Sequence, residues 1–315
     1  MSYNPLVSII IPVYNGSNYL REAIDSALAQ TYPSIEVLVV NDGSSDDGRT
    51  EEIALSYGDR IRYFPKPNGG VSSALNLGIA NMKGDYFSWL SHDDLYSPTK
   101  VEASVELLRA HGFDSMTLAY TGGTFIDKNS KYIKDYTVWH REGRVYSPYE
   151  NIAMMLKHGT FSGCALLVPR EAFSLCGGFD ESLRYAQDSL MWYRLFDRGY
   201  RLAFCREKGV MTRLHSLQGS QTQNAVFVAD SGRIADELID ICLRNGKGRH
   251  SRLLYYYALR LGKLDLVATR KKCLAVKASE GGLTLPRRAA VALFACYGKI
   301  RGSLKRIYYK YVLKV

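Results

Sequence analysis

Polar loops follow four successive apolar segments near the start of the chain, and this ordered repetition constrains the fold more than any other feature. The apolar run at residues 6–13 is rich in β-branched side chains, which is typical of a strand buried on both faces of a parallel sheet. A helical repeat at residues 20–28 follows it, and the alternation continues with strands at 35–40, 61–64 and 85–90. We therefore predict a doubly wound, mostly parallel α/β sheet whose ligand lies at the carboxyl ends of the strands.

The remainder of the chain predicts further strands and then mainly helices. Beyond a helix at 98–111, strands are predicted at 115–120, at 123–133 with a turn at 128–130, and at 164–169, followed by a helix at 186–199 and by helices at 225–244 and 252–278. We predict that residues 1–98 and 99–222 are two parts of one domain. Residues 223–315 are predicted to form a basic helical extension.

Composition and charge narrow the classes of protein. The 315 residues carry a formal net charge of +10, and the six cysteines form no CxxC pair, which favours a cytoplasmic protein with free thiols. No nucleic-acid motif accompanies the basic charge, so we expect no nucleic-acid partner. No run of 18 apolar residues occurs, which argues against a membrane-spanning helix.

Each predicted parallel strand ends in residues suited to binding. These residues are Tyr14 and Asn15 after the first strand, Asn41 to Ser44 after the second, Asn68 to Gly70 after the third, and Ser91 to Asp94 after the fourth. Asp42 could accept hydrogen bonds from a uracil or ribose edge, while the alternative is an aspartate that caps a turn. No GxGxxG or P-loop pattern is present, which removes the main support for a dinucleotide or P-loop site.

Asp93 and Asp94 form a pair of adjacent carboxylates that repel each other unless a cation neutralises them. Mg²⁺ and Mn²⁺ take oxygen ligands and bridge carboxylates to substrate phosphates, so the pair predicts a divalent metal site. The alternative is a pair that caps the helix beginning near Pro98.

Six segments in order across residues 6–220 resemble the motif set of family 2 glycosyltransferases, which have the GT-A fold. The segments are VSIIIPVYNG, VVNDGSSDDG, PNGGVSSALNLGI, GDYFSWLSHDD, GGFDESLRYAQD and RLHSLQGS. The resemblance implies an inverting transfer of one sugar from a nucleoside diphosphate donor, with UDP or dTDP expected. It implies nucleotide contacts by Pro12, Tyr14, Asn15, Asp42, Asn68, Asn76, His92 and Asp93.

The resemblance makes residues 1–98 the nucleotide-sugar-binding part of the domain and 99–222 its acceptor-binding and catalytic part, and it also assigns the reacting groups. Asp93 would contact the Mn²⁺ or Mg²⁺ ion and the diphosphate, and His215 resembles a histidine that some relatives direct at the metal. Asp188 would act as the general base that takes the proton of the acceptor hydroxyl, and the alternative is an aspartate at a helix N-terminus. The aromatic residues Trp89, Trp139, Trp192, Tyr136 and Tyr185 could stack on sugar rings, and none is assigned individually.

Three positions depart from the family pattern. Ser91 stands where many relatives have an aspartate, which leaves Asp94 or a water as the second metal ligand. Leu75 stands where relatives often have an arginine, and Gln187 replaces the usual glutamate before Asp188. These departures keep open a noncatalytic nucleotide-sugar-binding protein as the alternative. The third hypothesis is a nucleotidyltransferase, but residues 12–23 lack the glycine- and lysine-rich phosphate loop that such an enzyme needs.

The last 35 residues carry eight positive charges and no acidic residue. If residues 286–313 are helical, an apolar stripe bordered by lysine and arginine forms from Leu293, Tyr297, Ile300, Leu304, Ile307, Tyr308 and Tyr311. Such a helix suits an anionic membrane surface, and the alternative is a stripe that packs on the catalytic domain. We expect a saccharide or lipid-linked saccharide acceptor of O-antigen or capsule synthesis, at the inner face of the cell membrane.

Overall fold

The computed structural model describes residues 3–215 and, beyond them, helical positions at 226, 230, 233–234, 237–238, 241, 271, 274 and 292–293. The chain divides into two compact units, one of Met1–Asn151 with Phe161–Asn224 and one of Ile152–Thr160 with Ala225–Val315. The sheet and the candidate site both lie in the first unit.

Ten strands form one sheet within the described residues. They are β1 (Val7–Val13), β2 (Ile35–Asn41), β3 (Arg62–Pro65), β4 (Tyr86–Trp89), β5 (Leu95–Tyr96), β6 (Thr117–Ile126), β7 (Tyr132–Asp135), β8 (Val145–Tyr146), β9 (Leu166–Pro169) and β10 (Arg201–Arg213). The helices are α1 (Leu20–Leu28), α2 (Arg49–Leu55), α3 (Val71–Asn81), α4 (Lys100–Ala110), α5 (Pro148–His158), α6 (Glu171–Cys176) and α7 (Gln187–Asp197).

The strand order places a topological switch point at β1. The order is β3-β2-β1-β4-β9-β6-β10-β5, with β7 on β6 and β8 on β10. Strands β3, β2, β1 and β4 are parallel, whereas β9 runs antiparallel to β4 and to β6. Because the chain leaves β1 for β2 on one side and reaches β4 on the other, the carboxyl ends of these strands border one crevice. The predicted mostly parallel α/β sheet is confirmed.

The strand β1 forms the centre of the core because both of its faces are covered. Ile9, Ile10 and Ile11 are fully buried, and each such side chain contributes about 1.5–3 kcal/mol relative to an exposed one. A Cβ added to Gly78 of α3 would lie 2.5 Å from Ile10 Cγ2. Glycine at this position therefore lets α3 pack closely on β1, which fixes the loop that precedes α3.

Some element predictions were wrong. The strand at 115–120 and the first part of that at 123–133 are one strand, β6, because Gly122 and Gly123 continue the pairing with β10 past its register shifts. Strands β5 and β8 and helix α5 were not predicted. Only residues 211–215 were predicted to be strand-like in this region, whereas β10 begins at Arg201 and ends at Arg213. Short strands of two residues, such as β5 and β8, carry no periodic signal. The predicted helices at 225–244, 252–278 and 286–313 lie largely outside the described residues.

No helix within the described part of the chain is both long enough and apolar enough to cross a membrane.

Candidate active site

Asn15 joins the first strand-end loop to the second. Its backbone N–H donates to Ser44 Oγ at 2.9 Å, and its Oδ1 accepts from the backbone N–H of Ser45 at 2.7 Å. Asn15 has φ +50°, a left-handed conformation that asparagine tolerates better than most residues. Tyr14 beside it is 47% exposed. The structure therefore brings Tyr14 and Asn15 to the rim of the crevice, while Pro12 is buried inside β1 opposite Val40.

Asp42 is buried at the end of β2, and its carboxylate is fully engaged by the third loop. Oδ1 accepts from Lys66 Nζ at 2.7 Å and from the Gly69 N–H at 2.9 Å, and Oδ2 accepts from the Gly70 N–H at 2.7 Å. Asn68 Nδ2 donates to the Asp42 backbone carbonyl at 2.9 Å. Asp42 thus ties the loop after β2 to the loop after β3.

Gly43 permits the close approach of these two loops. It has φ +71°, and an added Cβ would lie 2.6 Å from the backbone nitrogen of Asn68. A side chain at this position would push the loops apart, so the glycine next to Asp42 is required by packing and by backbone conformation.

The loop after β4 carries Asp93, which contacts the end of β10. His215 Nε2 lies 3.0 Å from Asp93 Oδ2, and both side chains are only slightly exposed, at 12% and 16%. The His215 ring also lies 5.4 Å from the ring of Tyr19. The structure therefore brings together Asp93 and His215, although 122 positions separate them along the chain.

Asp94 is turned inward, away from this pair. Its Oδ1 accepts from the Arg213 backbone N–H at 2.9 Å, and its Oδ2 accepts from Thr212 Oγ1 at 3.4 Å and contacts Cys164 Sγ at 3.7 Å. Burial, followed by repulsion from Asp93, raises the pKa of Asp94 to about 8. The structure does not place Asp94 as a third ligand beside Asp93 and His215.

His92 points toward the first loop. A Cβ added to Gly16 would lie 2.5 Å from His92 Cδ2, so the imidazole packs against the backbone after β1. Burial lowers the pKa of His92, an effect that the Asp93 carboxylate opposes. The imidazole is therefore held closer to its neutral form.

Arg213 is a fully buried cation that organises the site. Its Nε donates to the Asp93 backbone carbonyl at 2.8 Å, and its Nη2 forms an ion pair with Glu22 at 2.9 Å. The guanidinium also stacks on the ring of Tyr19, with Cζ 4.2 Å from the ring centroid. Arg213 is the last residue of β10 and His215 lies two positions beyond it, so this short stretch of chain supplies both contacts to Asp93. The sequence analysis did not identify Arg213. The signal available was its position two residues before His215, since residues two apart in an extended strand lie on the same face.

Asn76, predicted to contact the nucleotide, binds instead the segment that leads to Asp188. Its Oδ1 accepts from the Phe179 N–H at 2.8 Å, and its Nδ2 donates to the Phe179 carbonyl at 2.9 Å. A Cβ on Gly178 would lie 2.4 Å from Asn76 Oδ1, so glycine is needed for this contact. Asn76 therefore clamps residues 178–181 onto α3.

Asp188 lies in the first turn of α7, which begins directly after Ala186, a residue with φ +59°. Its Oδ1 accepts from the Ser189 N–H at 2.6 Å, and the side chain is partly exposed. Gln187 is buried, and its Oε1 has no hydrogen-bond partner among the described residues. The helix is fixed to the sheet through Trp192, whose ring lies 6.0 Å from Phe179, which in turn lies 6.0 Å from Trp89.

The donor set at Asp93 suits a divalent cation only in part. Within the described residues no group of three or more His, Cys, Asp or Glu side chains converges as a metal site. Asp93 and His215 nevertheless offer a carboxylate oxygen and an imidazole nitrogen at one point. The carboxylate oxygen suits both Mn²⁺ and Mg²⁺ beside phosphate oxygens, whereas the imidazole nitrogen suits a transition metal such as Mn²⁺ better than Mg²⁺. Ser91 has no carboxylate to add to this set, and its Oγ lies 3.4 Å from Cys164 Sγ.

The chain is similar to several bacterial glycosyltransferases. A protein of Rickettsia bellii called an uncharacterized glycosyltransferase is 52% identical over 227 residues, 71% of this chain and 32% of that protein. One of Rickettsia typhi is 49% identical over 224 residues, 70% of this chain and 68% of its own length. A chondroitin synthase of Pasteurella multocida is 34% identical over 198 residues, 62% of this chain and 19% of the synthase. This chain therefore spans about a third of the Rickettsia bellii protein.

Solved structures share the fold. The structure of S. aureus TarS 1-349 in complex with UDP-GlcNAc superposes with a TM-score of 0.67 at 15% identity, over 96% of this chain and 92% of TarS 1-349. The likeness confirms the predicted GT-A fold. The family model described as glycosyl transferase family 2 matches residues 8–176, more than half of the chain. Together with the identity to the Rickettsia typhi protein, this match shows that the chain belongs to glycosyltransferase family 2.

Proposed function

We propose that this chain transfers a sugar, with inversion at the anomeric carbon, from a UDP- or dTDP-sugar to a hydroxyl of a saccharide or lipid-linked saccharide acceptor. The observation that carries the proposal is the Asp93–His215 pair at the end of β4, next to the loops that Asn15 and Asp42 join. The TarS structures that share the fold are described as complexes with UDP and with UDP-GlcNAc, which supports a nucleotide-sugar donor.

The donor nucleoside would lie over the first three loops. Exposed Tyr14 offers a ring for stacking on the base, and Asn15 and Asn68 offer amide groups at the same rim. Asp42 would read the base or ribose by exchanging one of its present hydrogen bonds, of which the one to Lys66 is made by a flexible side chain. Pro12 contributes through the backbone of β1 that leads into the first loop, and Asn76 contributes by holding residues 178–181 on α3.

The diphosphate would lie at Asp93. Asp93 and His215 would hold a Mn²⁺ or Mg²⁺ ion there, and such an ion neutralises the charge that develops on a departing nucleoside diphosphate. The Arg213 side chain binds the backbone carbonyl of Asp93. This contact holds the loop after β4 in place, and with it the Asp93 carboxylate. His92 would contact the nucleotide from the adjacent position.

Asp188 would act as the general base. An inverting displacement forms a bond from the acceptor oxygen to the anomeric carbon while the bond to the diphosphate breaks, and the acceptor proton passes to a carboxylate. Asp188 is partly exposed and lies in the first turn of α7, which the Asn76 clamp and the Trp192 contacts position. Gln187 beside it is not a carboxylate, so we assign the base to Asp188 and not to its neighbour.

The test combines a donor screen with an Asp188→Asn substitution. Labelled nucleotide sugars are incubated with the full chain and Mn²⁺, and hydrolysis and transfer are measured. We expect turnover of a UDP- or dTDP-sugar, and we expect Asp188→Asn to keep donor binding while transfer falls by about 10²-fold or more. Near-normal transfer by folded Asp188→Asn protein would contradict the assignment of the base. Donor binding without any turnover would favour the noncatalytic alternative.

A further inference from the structure

Three large apolar side chains are exposed within the eight positions 132–139, beyond the end of β6. Tyr132 is 63% exposed, Ile133 45% and Trp139 53%. All four residues of β7 are exposed to solvent. We name residues 127–139 the hairpin segment; it comprises the turn after β6, strand β7 and the four residues that follow.

One end of the hairpin segment is attached to the candidate active site. The buried guanidinium of Arg213 donates both to the Asp93 carbonyl at 2.8 Å and to Ser130 Oγ at 2.9 Å. Tyr19, on which that guanidinium stacks, places its hydroxyl 3.5 Å from the Lys128 carbonyl. The turn of the hairpin segment and the backbone of Asp93 are therefore bound by the same guanidinium.

The other end is attached to the same site and to the core. The Tyr136 hydroxyl bonds with Thr212 Oγ1, which donates in turn to Asp94 Oδ2 at 3.4 Å. His140, the next residue after the segment, is buried with its ring 4.7 Å from the ring of Tyr146. The exposed apolar residues are thus carried by a firmly held segment, since both of its ends are fixed.

The hairpin segment carries an excess of positive charge. Lys128, Lys131 and Lys134 are exposed. Asp135 forms an ion pair with Lys208 at 2.9 Å, and Asp127 accepts the N–H groups of the turn. Three lysines against two aspartates leave the segment with a net positive charge. The surface thus combines aromatic side chains with a small excess of positive charge beside the candidate active site.

We propose that the hairpin segment binds the acceptor, and that the acceptor is an anionic saccharide chain. Aromatic rings stack on the apolar faces of sugars, and lysine ammonium groups attract carboxylate or phosphate groups on the chain. The attachment through Arg213 places such a chain next to the diphosphate loop, where its terminal hydroxyl meets the donor sugar. This inference rests on the proposed function of the same site.

Tryptophan fluorescence provides the first test because the three tryptophans differ in exposure. Trp89 is 8% exposed and Trp192 is fully buried, so quenching by acrylamide reports mainly on Trp139. The probe is hyaluronan oligosaccharides, with neutral dextran oligosaccharides as the comparison. We expect hyaluronan oligosaccharides to protect the full-length protein from quenching, and Trp139→Phe to abolish the change. Absence of protection by the anionic probe, or equal protection by dextran, would overturn the proposal of an anionic saccharide.

Substitutions in the segment provide the second test. Binding of the hyaluronan probe is measured for Tyr132→Ala and for a Lys131→Glu, Lys134→Glu double variant. The matched controls are Leu175→Ala, an exposed apolar residue of α6, and Lys83→Glu, an exposed lysine elsewhere. We expect each segment variant to raise the Kd for the probe about tenfold and the controls to leave it unchanged. An unchanged Kd in the segment variants would overturn the proposal.

Two further measurements separate the possible sources of a negative result. UDP affinity is measured for every variant, and a parallel loss of UDP affinity would mean that the substitutions act on the fold and not on acceptor binding. Vesicles of phosphatidylglycerol and phosphatidylcholine test the other anionic surface, and binding to vesicles that depends on the lysines without binding of the oligosaccharides would overturn the saccharide assignment. Failure of the unsubstituted protein to bind UDP, dTDP or a sugar derivative of either would instead count against the proposed function.

Discussion

Two contacts hold Asp93 at the end of β4, and they use different atoms. Arg213 binds its backbone carbonyl, and His215 meets its carboxylate. The backbone contact is independent of the side chain, so removing the carboxylate leaves the loop in place. A substitution at Asp93 can therefore test chemistry separately from folding.

We predict that Asp93→Ala abolishes metal-dependent donor binding, because the diphosphate charge then has no carboxylate-bound cation to offset it. Donor affinity is measured by titration calorimetry with Mn²⁺ and with EDTA. The control is Asp59→Ala, an exposed aspartate away from the strand ends. Equal donor affinity in Asp93→Ala and unsubstituted protein, with or without EDTA, would remove the metal assignment.

The buried Asp42 carboxylate stabilises the site by holding two loops together. Its two oxygens accept three hydrogen bonds from the third loop, and its side chain is only 4% exposed. Removing it would take the acceptor away from the partly buried Gly69 and Gly70 N–H groups, while Lys66 Nζ would keep its bond to the Pro67 carbonyl. A fully buried group left without its partner costs about 1–3 kcal/mol, so these partly buried groups cost less each. Asp42 thus has a structural role whether or not it contacts the nucleoside.

We predict that Asp42→Ala lowers the affinity for uridine as well as for UDP, because the contact is to the nucleoside and not to the phosphates. The free energy of unfolding is measured in urea alongside, since some of the loss follows from loosened loops. A stability loss with uridine affinity unchanged would restrict Asp42 to joining the second and third loops.

Helix α4 carries a lysine into the core against the sheet. Lys100 is fully buried, donates to Ser88 Oγ and to the Leu166 carbonyl, the latter at 3.2 Å, and lies 4.5 Å from the ring centroid of Tyr96. Burial lowers the pKa of Lys100 from its ordinary value of 10.5 to about 7. The packing of α4 is therefore coupled to the protonation of one side chain.

The sign of this coupling follows from the two pKa values. Between pH 7 and 10.5 the unfolded chain holds a proton on Lys100 that the folded protein lacks, so stability rises with pH. We predict that the unfolding free energy of the parent, relative to Lys100→Met, increases by roughly 1 kcal/mol per pH unit from about pH 7.5 to 9.5 and levels off below pH 7. Urea unfolding at several pH values measures it, and parallel curves for parent and variant would contradict the burial of a neutral lysine.

On the scale of the whole molecule, the basic C-terminal segment carries eight positive charges and no acidic residue. Leu293 is 69% exposed, whereas the other residues of the predicted apolar stripe lie outside the described residues. We propose that this segment holds the protein peripherally at an anionic membrane surface, on the cytoplasmic face. Apolar burial and basic attraction act together there, with about 1 kcal/mol for each well-placed charge.

We predict that deleting residues 284–315 releases the protein from anionic liposomes at moderate salt and leaves donor hydrolysis largely intact. Liposome sedimentation and donor hydrolysis measure the two effects, with zwitterionic liposomes as the control. If the full chain does not bind anionic liposomes, or if the deletion unfolds the catalytic unit, the segment is structural and the membrane assignment is wrong.

The sequence by itself determined the parallel sheet, the family and the strand ends at which Asp42 and Asp93 lie, because apolar runs and the polar breaks between them are local signals. Only the tertiary structure decided what each side chain meets. Lys66 lies 24 positions from Asp42, the Phe179 carbonyl 103 positions from Asn76, and Arg213 120 positions from Asp93. The inward turn of Asp94 depends on the backbone of β10, 119 positions away. Such partners are selected by packing between distant segments, and no local pattern in a single sequence encodes them.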